Sequence, residues 1–457
     1  MNRVAHRTTI ALLLALVLIV GMLLFVCEFL LNAGDWVVFP GNPHVYNGTN
    51  IGCGLIVDRS GRVLLSATDG RLYSDDLGIR KTTIHWLGDR SGYISAPAAS
   101  YYSEEMAGYS LINGLYSYSG TGGEAEMTIS AQVQKAALEA MGSYKGTVAV
   151  YNYKTGEIIC AVSAPNYDPD NVPDISGDTS GAYEGVYLNR FTQVSYVPGS
   201  IFKIVTTAAA LESLDNPMLL KFTCNGTYQM GVDEVVCEGN HGSIDLKTAL
   251  AKSCNCYFAQ LAELMGGDTL QKYVTKFRVI EPVSFDGITT ARGSFDIDNA
   301  AGVEIAWSAI GQHLDLVNPC RFMTLMGAIA GGGEAKEPYI ISQVTSGTSV
   351  QHKTHATSTG RLMSKDTAQV LTELMRNNVI SIYGDSNFDG LTVCAKSGTA
   401  EVGGGQKPNA TFAGFVTDEE YPLAFVAIIE NGGSGSSVCV PIVSQVLQAC
   451  VDVLDRE

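Results

Sequence analysis

The sequence is organised around residues 197–206, which read VPGSIFKIVT. A proline and a glycine interrupt the element before them, and the apolar run at residues 201–211 then predicts a buried helix. Ser200 lies at the start of that helix, where a hydroxyl side chain is favoured as an N-terminal cap. Lys203 follows three residues later, so the two side chains project from one face of the helix, one turn apart.

This spacing suits nucleophilic catalysis by a serine. A serine hydroxyl is a poor nucleophile until a base removes its proton, and a nearby amine is such a base when burial or a second cation suppresses its charge. The alternative is an ordinary capped helix with a lysine that reaches solvent. Two observations favour catalysis: Lys203 is the only lysine with a serine three residues before it, and a charged amine in an apolar helix is costly without a partner.

The composition indicates a globular protein that does not bind nucleic acid. The chain has 457 residues, which is enough for two or three domains, and 46% of them are hydrophobic. Its formal net charge of −17 argues against a nucleic-acid partner.

An apolar segment near the N-terminus predicts a membrane anchor. Residues 10–27 form an unbroken apolar run, preceded by Arg3 and Arg7 and followed by acidic residues. The run is long enough to span a bilayer, and the flanking charges predict a cytoplasmic tail at 1–9, an anchor at 10–31 and an extracytoplasmic remainder. A cleaved signal peptide is the alternative, but its apolar region is normally shorter, and the cleavage signal near Ala33 is weak.

The eleven cysteines do not form a recognisable metal pattern. No Cys-x-x-Cys pair occurs, and the pair Cys254-x-Cys256 is too tight for half of a zinc site, so the sequence predicts neither a metal nor a cofactor. An extracytoplasmic location permits disulfides, and Cys224 and Cys237 are placed to close a hairpin around residues 227–235. For most of the cysteines, burial as small apolar side chains is the favoured interpretation.

Residues 32–124 predict a small β-rich accessory domain. The sequence Asp-Arg-Ser-Gly occurs twice, at residues 58–61 and 89–92, and aliphatic runs flank the first copy. These are signals of β-hairpins. The Gly/Ser-rich stretch at residues 116–124 predicts the domain boundary.

Residues 125–457, with a core at 146–453, predict an α+β domain. The order is a helix capped by Ser130, two strands, a mostly helical insert, three strands and a final helix. The insert contains one continuous helix predicted over 245–265 and a Ser/Thr/His-rich excursion at 342–360. Short connections between successive strands imply antiparallel pairing, so we expect an antiparallel sheet with helices on its faces.

Three short motifs follow one another along the chain: Ser200-x-x-Lys203, Ser253-x-Asn255 and Lys396-Ser397-Gly398. Each is weak alone, but the ordered trio resembles the motifs of the penicillin-binding proteins. The resemblance extends from roughly residue 146 to the C-terminus. Within the family, the sequence is most similar to the monofunctional class B enzymes, in particular their small A-type group. It implies the β-lactamase/transpeptidase-like fold and a peptidoglycan D,D-transpeptidase that β-lactams acylate.

The resemblance also implies a role for each motif side chain. Ser200 attacks the carbonyl of a D-Ala-D-Ala stem peptide, and Lys203 is the general base, kept neutral by the like charge of Lys396. Ser253 relays a proton towards the leaving amine, and Asn255 binds the substrate amide.

The resemblance implies that the third motif binds the substrate. Ser397 and Thr399, with Gly398 between them, bind the terminal carboxylate, and the N–H groups of Ser200 and Thr399 form the oxyanion hole. The implied partners are stem peptides, β-lactams and a membrane glycosyltransferase of the shape, elongation, division and sporulation family.

Other functions share the trio. A serine β-lactamase needs a base for deacylation, often a glutamate in a Glu-x-x-Leu-Asn loop between the second and third motifs, and no such sequence occurs there. A D,D-carboxypeptidase differs only in the acceptor that it admits, which the sequence does not decide. A β-lactam sensor needs cytoplasmic signalling machinery, for which only nine residues precede the anchor, and an inactive scaffold is disfavoured because every motif side chain is present.

Overall fold

The computed structural model describes residues 2–39, 54–67, 71–107, 109–110, 114–115 and 122–456. Its α-helices are α1 (Asn2–Val37), α2 (Leu77–Leu87), α3 (Pro97–Tyr101), α4 (Ser103–Ala107), α5 (Ala131–Met141), α6 (Arg190–Gln193), α7 (Lys203–Ser213), α8 (Leu246–Ala251), α9 (Asn255–Met265), α10 (Gly267–Lys276), α11 (Gly302–Ile310), α12 (Pro319–Ala330), α13 (Lys365–Asn378) and α14 (Gly435–Leu454). Single turns of 3₁₀ helix lie at Gly199–Phe202, Pro217–Leu219 and Asp385–Asn387, and a π-helical turn lies at Val379–Tyr383.

The β-strands are β1 (Leu55–Val57), β2 (Val63–Ser66), β3 (Leu72–Tyr73), β4 (Tyr109–Ser110), β5 (Gly114–Leu115), β6 (Glu124–Met127), β7 (Lys145–Asn152), β8 (Ile158–Ala164), β9 (Lys221–Cys224), β10 (Thr227–Met230), β11 (Asp233–Val236), β12 (Gly242–Asp245), β13 (Ser284–Phe285), β14 (Ile288–Thr289), β15 (Ile341–Ser346), β16 (Ser349–Lys353), β17 (Val393–Ala400), β18 (Asn409–Val416) and β19 (Leu423–Glu430).

A five-stranded sheet in the order β17-β18-β19-β7-β8 supports the C-terminal region, and every neighbouring pair is antiparallel. Successive side chains of a strand point to opposite faces. Val148 and Val150 therefore pack with α5 and α14 on one face, whereas Ala149 and Tyr151 pack with α7 and α12 on the other. This arrangement confirms the predicted α+β fold.

Two details of the helical insert differ from prediction. Ser200 is not an N-terminal cap, because it lies inside the 3₁₀ turn that precedes α7, and Pro198 takes the cap position. The helix expected over 245–265 is broken into α8 and α9. The break falls at Ser253, whose φ of 53° is left-handed and therefore ends the helical run.

The N-terminal region is built around a second sheet, in the order β16-β15-β6-β1-β2-β3. Its β1–β2 hairpin confirms the first predicted turn, in which the Asp58 side chain accepts hydrogen bonds from the backbone N–H groups of Ser60 and Arg62. The second predicted hairpin is wrong, because residues 77–87 before it form α2, which Asp76 caps. The excursion at 342–360 supplies β15 and β16 to this sheet.

The sheet thus joins strands from both sides of the predicted domain boundary. Part of the boundary stretch, residues 116–121, lies outside the described residues. The division at residue 124 stays a prediction.

Helix α1 is apolar and, among the described residues, contacts the rest of the fold only near its C-terminal end, where Ala33 and Gly34 are buried close to α4. Its most apolar 18-residue window has a mean hydropathy of 3.3 and contains no buried residues. A second helix of sufficient length and apolarity, α14, packs against the core sheet instead. Helix α1 is therefore the candidate membrane anchor.

Candidate active site

The turn that carries Ser200 is held by close backbone contacts. Gly199 has a φ of 59° and donates its N–H to the Gly311 carbonyl at 2.8 Å. A Cβ atom at Gly199 would lie only 2.7 Å from the carbonyl oxygen of Thr399. A glycine is therefore required here, because the turn is wedged between strand β17 and the loop after α11.

The second motif reaches the same point from the break between α8 and α9. The left-handed backbone of Ser253 directs its hydroxyl towards two lysines, with Lys203 Nζ at 3.2 Å and Lys396 Nζ at 3.1 Å. Asn255 begins α9, and its Nδ2 donates to the Val236 carbonyl at 2.9 Å. That bond orients the amide so that Oδ1 faces Lys203.

The third motif lies on β17, at the edge of the core sheet. Lys396 is buried, and its Nζ donates to the carbonyl of Ser397 at 2.6 Å as well as to Ser253. Gly398 passes so close to the nucleophile turn that a Cβ atom there would lie 3.1 Å from the Ser200 nitrogen and 2.3 Å from Thr411 Oγ1. The glycine of the motif therefore permits the strand to contact the turn.

Lys203 connects the first two motifs. It is fully buried, and its Nζ lies 3.0 Å from Ser200 Oγ, 2.7 Å from the Ser253 carbonyl and 2.7 Å from Asn255 Oδ1. A neutral amine has two hydrogens and one lone pair. When the two shorter contacts take the hydrogens, the lone pair is left for the hydroxyl of Ser200.

The electrostatic environment favours this neutral form. Burial lowers the pKa of Lys203 to about 8. Burial also lowers the pKa of Lys396 well below its ordinary value, and the nearby charge of Lys203 lowers it further. The sequence predicts that the charge of Lys396 keeps Lys203 neutral, but burial has the largest effect on Lys203, and the repulsion between the two lysines lowers the pKa of Lys396.

The motifs meet at the bottom of a cleft of about 530 Å³. Seven of the eight predicted residues line it, and Lys203 lies beneath them. Sequence reasoning did not assign the other lining side chains, which include Val236, Glu238, Trp307, Gln312, Ile382, Glu401, Ser434 and Ser436. Most of them lie far from the motifs in sequence, whereas Glu401 closely follows the third motif and Gln312 follows the glycine that supports the nucleophile turn.

Within the described residues, the glutamates between the second and third motifs all lie away from this cleft: Glu263, Glu281, Glu304, Glu334, Glu337 and Glu373. Each contacts a partner elsewhere, such as Arg321 for Glu337 and Arg361 for Glu334. The two acidic residues that do line the cleft, Glu238 and Glu401, are exposed and lie outside that interval of sequence.

Comparison with known proteins agrees with this geometry. Residues 146–448 match the model of the penicillin-binding protein transpeptidase domain, and the match contains all three motifs. The chain belongs to the penicillin-binding protein transpeptidase family.

Relatives of this penicillin-binding protein include peptidoglycan D,D-transpeptidase PbpA of Mycolicibacterium smegmatis, which is 29% identical over 356 residues, covering 70% of this chain and 71% of the relative. Stage V sporulation protein D of Bacillus subtilis is 27% identical over 86% of this chain and 60% of its own length. The ceftriaxone acyl-enzyme of penicillin-binding protein A from M. tuberculosis superposes with a TM-score of 0.75 at 25% identity, covering 87% of this chain and 98% of that one. These relatives confirm the predicted membership of the monofunctional class B group.

Proposed function

We propose that this penicillin-binding protein cross-links peptidoglycan stem peptides with Ser200 as the nucleophile of a D,D-transpeptidase reaction. The observation that carries the proposal is the position of the buried Lys203 amine, 3.0 Å from Ser200 Oγ and bonded to both Ser253 and Asn255. Family membership supplies the reaction class, because the relatives with this domain are named peptidoglycan D,D-transpeptidases.

Acylation begins at the Ser200 hydroxyl. The lone pair of neutral Lys203 accepts the hydroxyl proton while Oγ attacks the carbonyl between the two D-Ala residues of the stem peptide. The N–H groups of Ser200 and Thr399 stabilise the developing oxyanion. This pairing follows from the contact of β17 with the nucleophile turn, which brings residues 398–399 against residues 199–200.

The proton then travels to the leaving group. Ser253 Oγ lies 3.2 Å from Lys203 Nζ, so it accepts the proton from the ammonium and passes its own proton to the departing D-Ala nitrogen. Lys396 donates to the same hydroxyl at 3.1 Å and supports its negative character during the transfer. An acceptor amine of a neighbouring stem peptide next attacks the acyl-enzyme, and the proton steps run in reverse.

The substrate is held by the second and third motifs. Ser397 and Thr399 project from the edge strand β17 into the cleft and bind the terminal carboxylate. Asn255 Nδ2 is occupied by the Val236 carbonyl in this structure, so the amide is already oriented when a substrate amide arrives.

Acylation by β-lactams follows from the same geometry, and we propose that the product is long-lived. Rapid hydrolysis requires a base that activates water beside the acyl carbonyl. The six glutamates between the motifs lie away from the cleft, and the two exposed acids that line it are free to solvent. The D,D-carboxypeptidase reaction remains the second candidate, because it uses the same acyl-enzyme with water as acceptor.

The membrane arrangement is also part of the proposal. Helix α1 carries Arg3 and Arg7 before its apolar segment, which favours a cytoplasmic N-terminus and an extracytoplasmic transpeptidase domain. The family resemblance supports a membrane glycosyltransferase of the shape, elongation, division and sporulation family as partner. Such a partner supplies new glycan strands near the anchor.

Labelling with penicillin followed by peptide mass spectrometry tests the nucleophile. We expect one penicilloyl group on Ser200 and no label in Ser200→Ala. Ser213→Ala is the matched control, because Ser213 is the last residue of α7 and its hydroxyl bonds only to the backbone of that helix. Label on another residue, or label that survives in Ser200→Ala, contradicts the assignment.

The same enzyme given a D-Ala-D-Ala peptide and an amine acceptor distinguishes the two reactions. A cross-linked product is expected of the transpeptidase. Release of D-Ala with hydrolysis alone, at every acceptor concentration, identifies a carboxypeptidase.

A further inference from the structure

Four side chains with metal-binding chemistry meet beside the second motif. The ligand atoms of Cys224, Cys237, His241 and Cys254 all lie within 4.8 Å of one another. Cys224 ends β9, Cys237 follows β11, His241 precedes β12, and Cys254 caps the start of α9. None of them takes part in the proton transfers described above.

Two pairs of strands, β10 with β11 and β9 with β12, bring the cluster together. In the β10–β11 hairpin Thr227 faces Val236, and Cys237 then donates its N–H to the Gly226 carbonyl at 2.8 Å. The β9–β12 pairing places Cys224 opposite Gly242, next to His241. The ends of both hairpins therefore converge on the first turn of α9, where Cys254 lies.

Three of the six separations between the ligand atoms match a single tetrahedral ion, and the other three are at most 4.8 Å. Cys224 Sγ and Cys237 Sγ lie 3.5 and 3.6 Å from His241 Nδ1, and Cys237 Sγ lies 3.8 Å from Cys254 Sγ. Around zinc, bonds of about 2.3 Å to sulfur and about 2.0 Å to nitrogen place two tetrahedral ligands roughly 3.6 Å apart for sulfur and nitrogen and roughly 3.8 Å apart for two sulfurs. All three separations agree with this geometry.

The donor set selects the metal. Three thiolates and one imidazole suit zinc, whereas calcium and magnesium require oxygen ligands. The sulfurs are buried, and the imidazole is half-buried, so the site is closed to solvent on most sides.

We propose that Cys224, Cys237, His241 and Cys254 bind one Zn²⁺ as a closed structural site that positions the second motif. Cys254 is the residue between Ser253 and Asn255, and both neighbours contact Lys203. A left-handed backbone at Ser253 costs energy for a residue that is not glycine. A metal bond at Cys254 would hold the chain in this shape and keep the Ser253 hydroxyl between the two lysines.

Four protein ligands leave no open position on the metal, so its role is to position residues and not to activate water. The inference on metal binding is independent of the proposed function. The inference on positioning rests on that function, because it names Ser253 and Asn255 as parts of the catalytic machinery.

The first test is the metal content of the full chain, solubilised in detergent and purified without a polyhistidine tag. Elemental mass spectrometry should find about one zinc per chain, as four-coordinate structural sites bind one ion. Replacement by Co²⁺ should produce absorption from thiolate-to-cobalt charge transfer. Zinc-free protein that takes up no Co²⁺ would overturn the proposal. An intact mass lighter by two hydrogens, with a disulfide mapped between Cys224 and Cys237, would also overturn it.

Variants test the ligand assignment. Cys224→Ser and His241→Ala should each weaken zinc binding by more than roughly tenfold, because even outer partners of a metal site contribute that much. Cys450→Ser is the matched control, since Cys450 is buried on α14 and is not one of the four ligands. Equal zinc loss in Cys450→Ser would contradict the assignment.

The positioning role is tested by removing and restoring the metal. Chelation of the native protein should slow acylation of Ser200 by penicillin, and added Zn²⁺ should restore it. Unchanged acylation in zinc-free protein would refute the positioning role. A zinc-loaded protein that penicillin never labels would refute the proposed function and leave the metal site standing.

Discussion

The rate at which penicillin acylates Ser200 should depend on the protonation of Lys203. Only the neutral amine has a lone pair for the serine proton, and its nitrogen lies 3.0 Å from Ser200 Oγ. Burial lowers the pKa of Lys203 to about 8. The neutral fraction grows as pH rises, so the acylation rate should increase with pH and level off above this value.

The magnitude follows from the titration of one group. With a pKa of about 8, roughly 1% of the amine is neutral at pH 6 and roughly half at pH 8, so acylation should be about 50-fold slower at pH 6. The negative charge of Glu238 raises the pKa of Lys203. Glu238→Gln should therefore move the midpoint to lower pH and speed acylation at pH 6.

The measurement is the second-order rate constant for a fluorescent penicillin, followed by stopped flow across this pH range, with circular dichroism to confirm that the protein stays folded. Glu401→Gln is the matched control, because Glu401 lines the same cleft and is not among the groups that shift Lys203. Zinc on the thiolates of Cys237 and Cys254 would cancel negative charge that raises the pKa of Lys203, so zinc binding should shift the midpoint to lower pH. A midpoint near the ordinary lysine value of 10.5, or a rate that rises on acidification, would refute the role of Lys203 as base.

Further predictions concern the cleft, the acyl-enzyme, the fold and the anchor. Gly398→Ala should slow acylation by roughly 10²-fold or more, because its Cβ would lie 2.3 Å from Thr411 Oγ1; Gly177→Ala, with open space around it, should not. Intact mass spectrometry should show a penicilloyl adduct that persists for minutes, and many turnovers of penicillin in that time would identify a β-lactamase. Compared with the Lys203→Met variant, the free energy of unfolding of the native protein should rise with pH between about 8 and 10.5, because Lys203 holds its proton more tightly in the unfolded chain than in the folded one. The total rise is about 3 kcal/mol. Chemical denaturation at several pH values measures it. Edman sequencing of protein from cells should not begin near Ala33, since α1 is expected to remain attached.

Much of the fold was accessible from local pattern. The five strands of the core sheet are long and strongly apolar, and Ser130 and Gly142 mark the ends of α5 as caps do. The β15–β16 hairpin was missed because its exposed edge carries polar residues in place of an apolar alternation. Its strand character comes from pairing with β6, which is a tertiary contact.

The break at Ser253 shows a second limit. Apolar residues continue at helical spacing on both sides of it, so the periodicity predicts one helix over 245–265. The backbone leaves the helix because the Ser253 hydroxyl and carbonyl are both used by Lys203. The sequence identified every motif side chain, but only the fold shows that burial has the largest effect on the pKa of Lys203.

The cysteine cluster is also hard to recognise from the sequence, because the intervals between its ligands are regular but long. Twelve residues separate Cys224 from Cys237, three separate Cys237 from His241, and twelve separate His241 from Cys254. A search for close pairs finds only Cys254 and Cys256. Cys256 Sγ faces the Val235 carbonyl and lies beside Cys224 and Cys237, but it is not one of the four ligands. The long intervals become short distances only after each hairpin closes. Cys254, a ligand in the middle of the Ser-x-Asn motif, therefore links the paired strands to the Ser253 hydroxyl that relays the proton. Loss of that link should slow acylation before it lowers the stability of the fold.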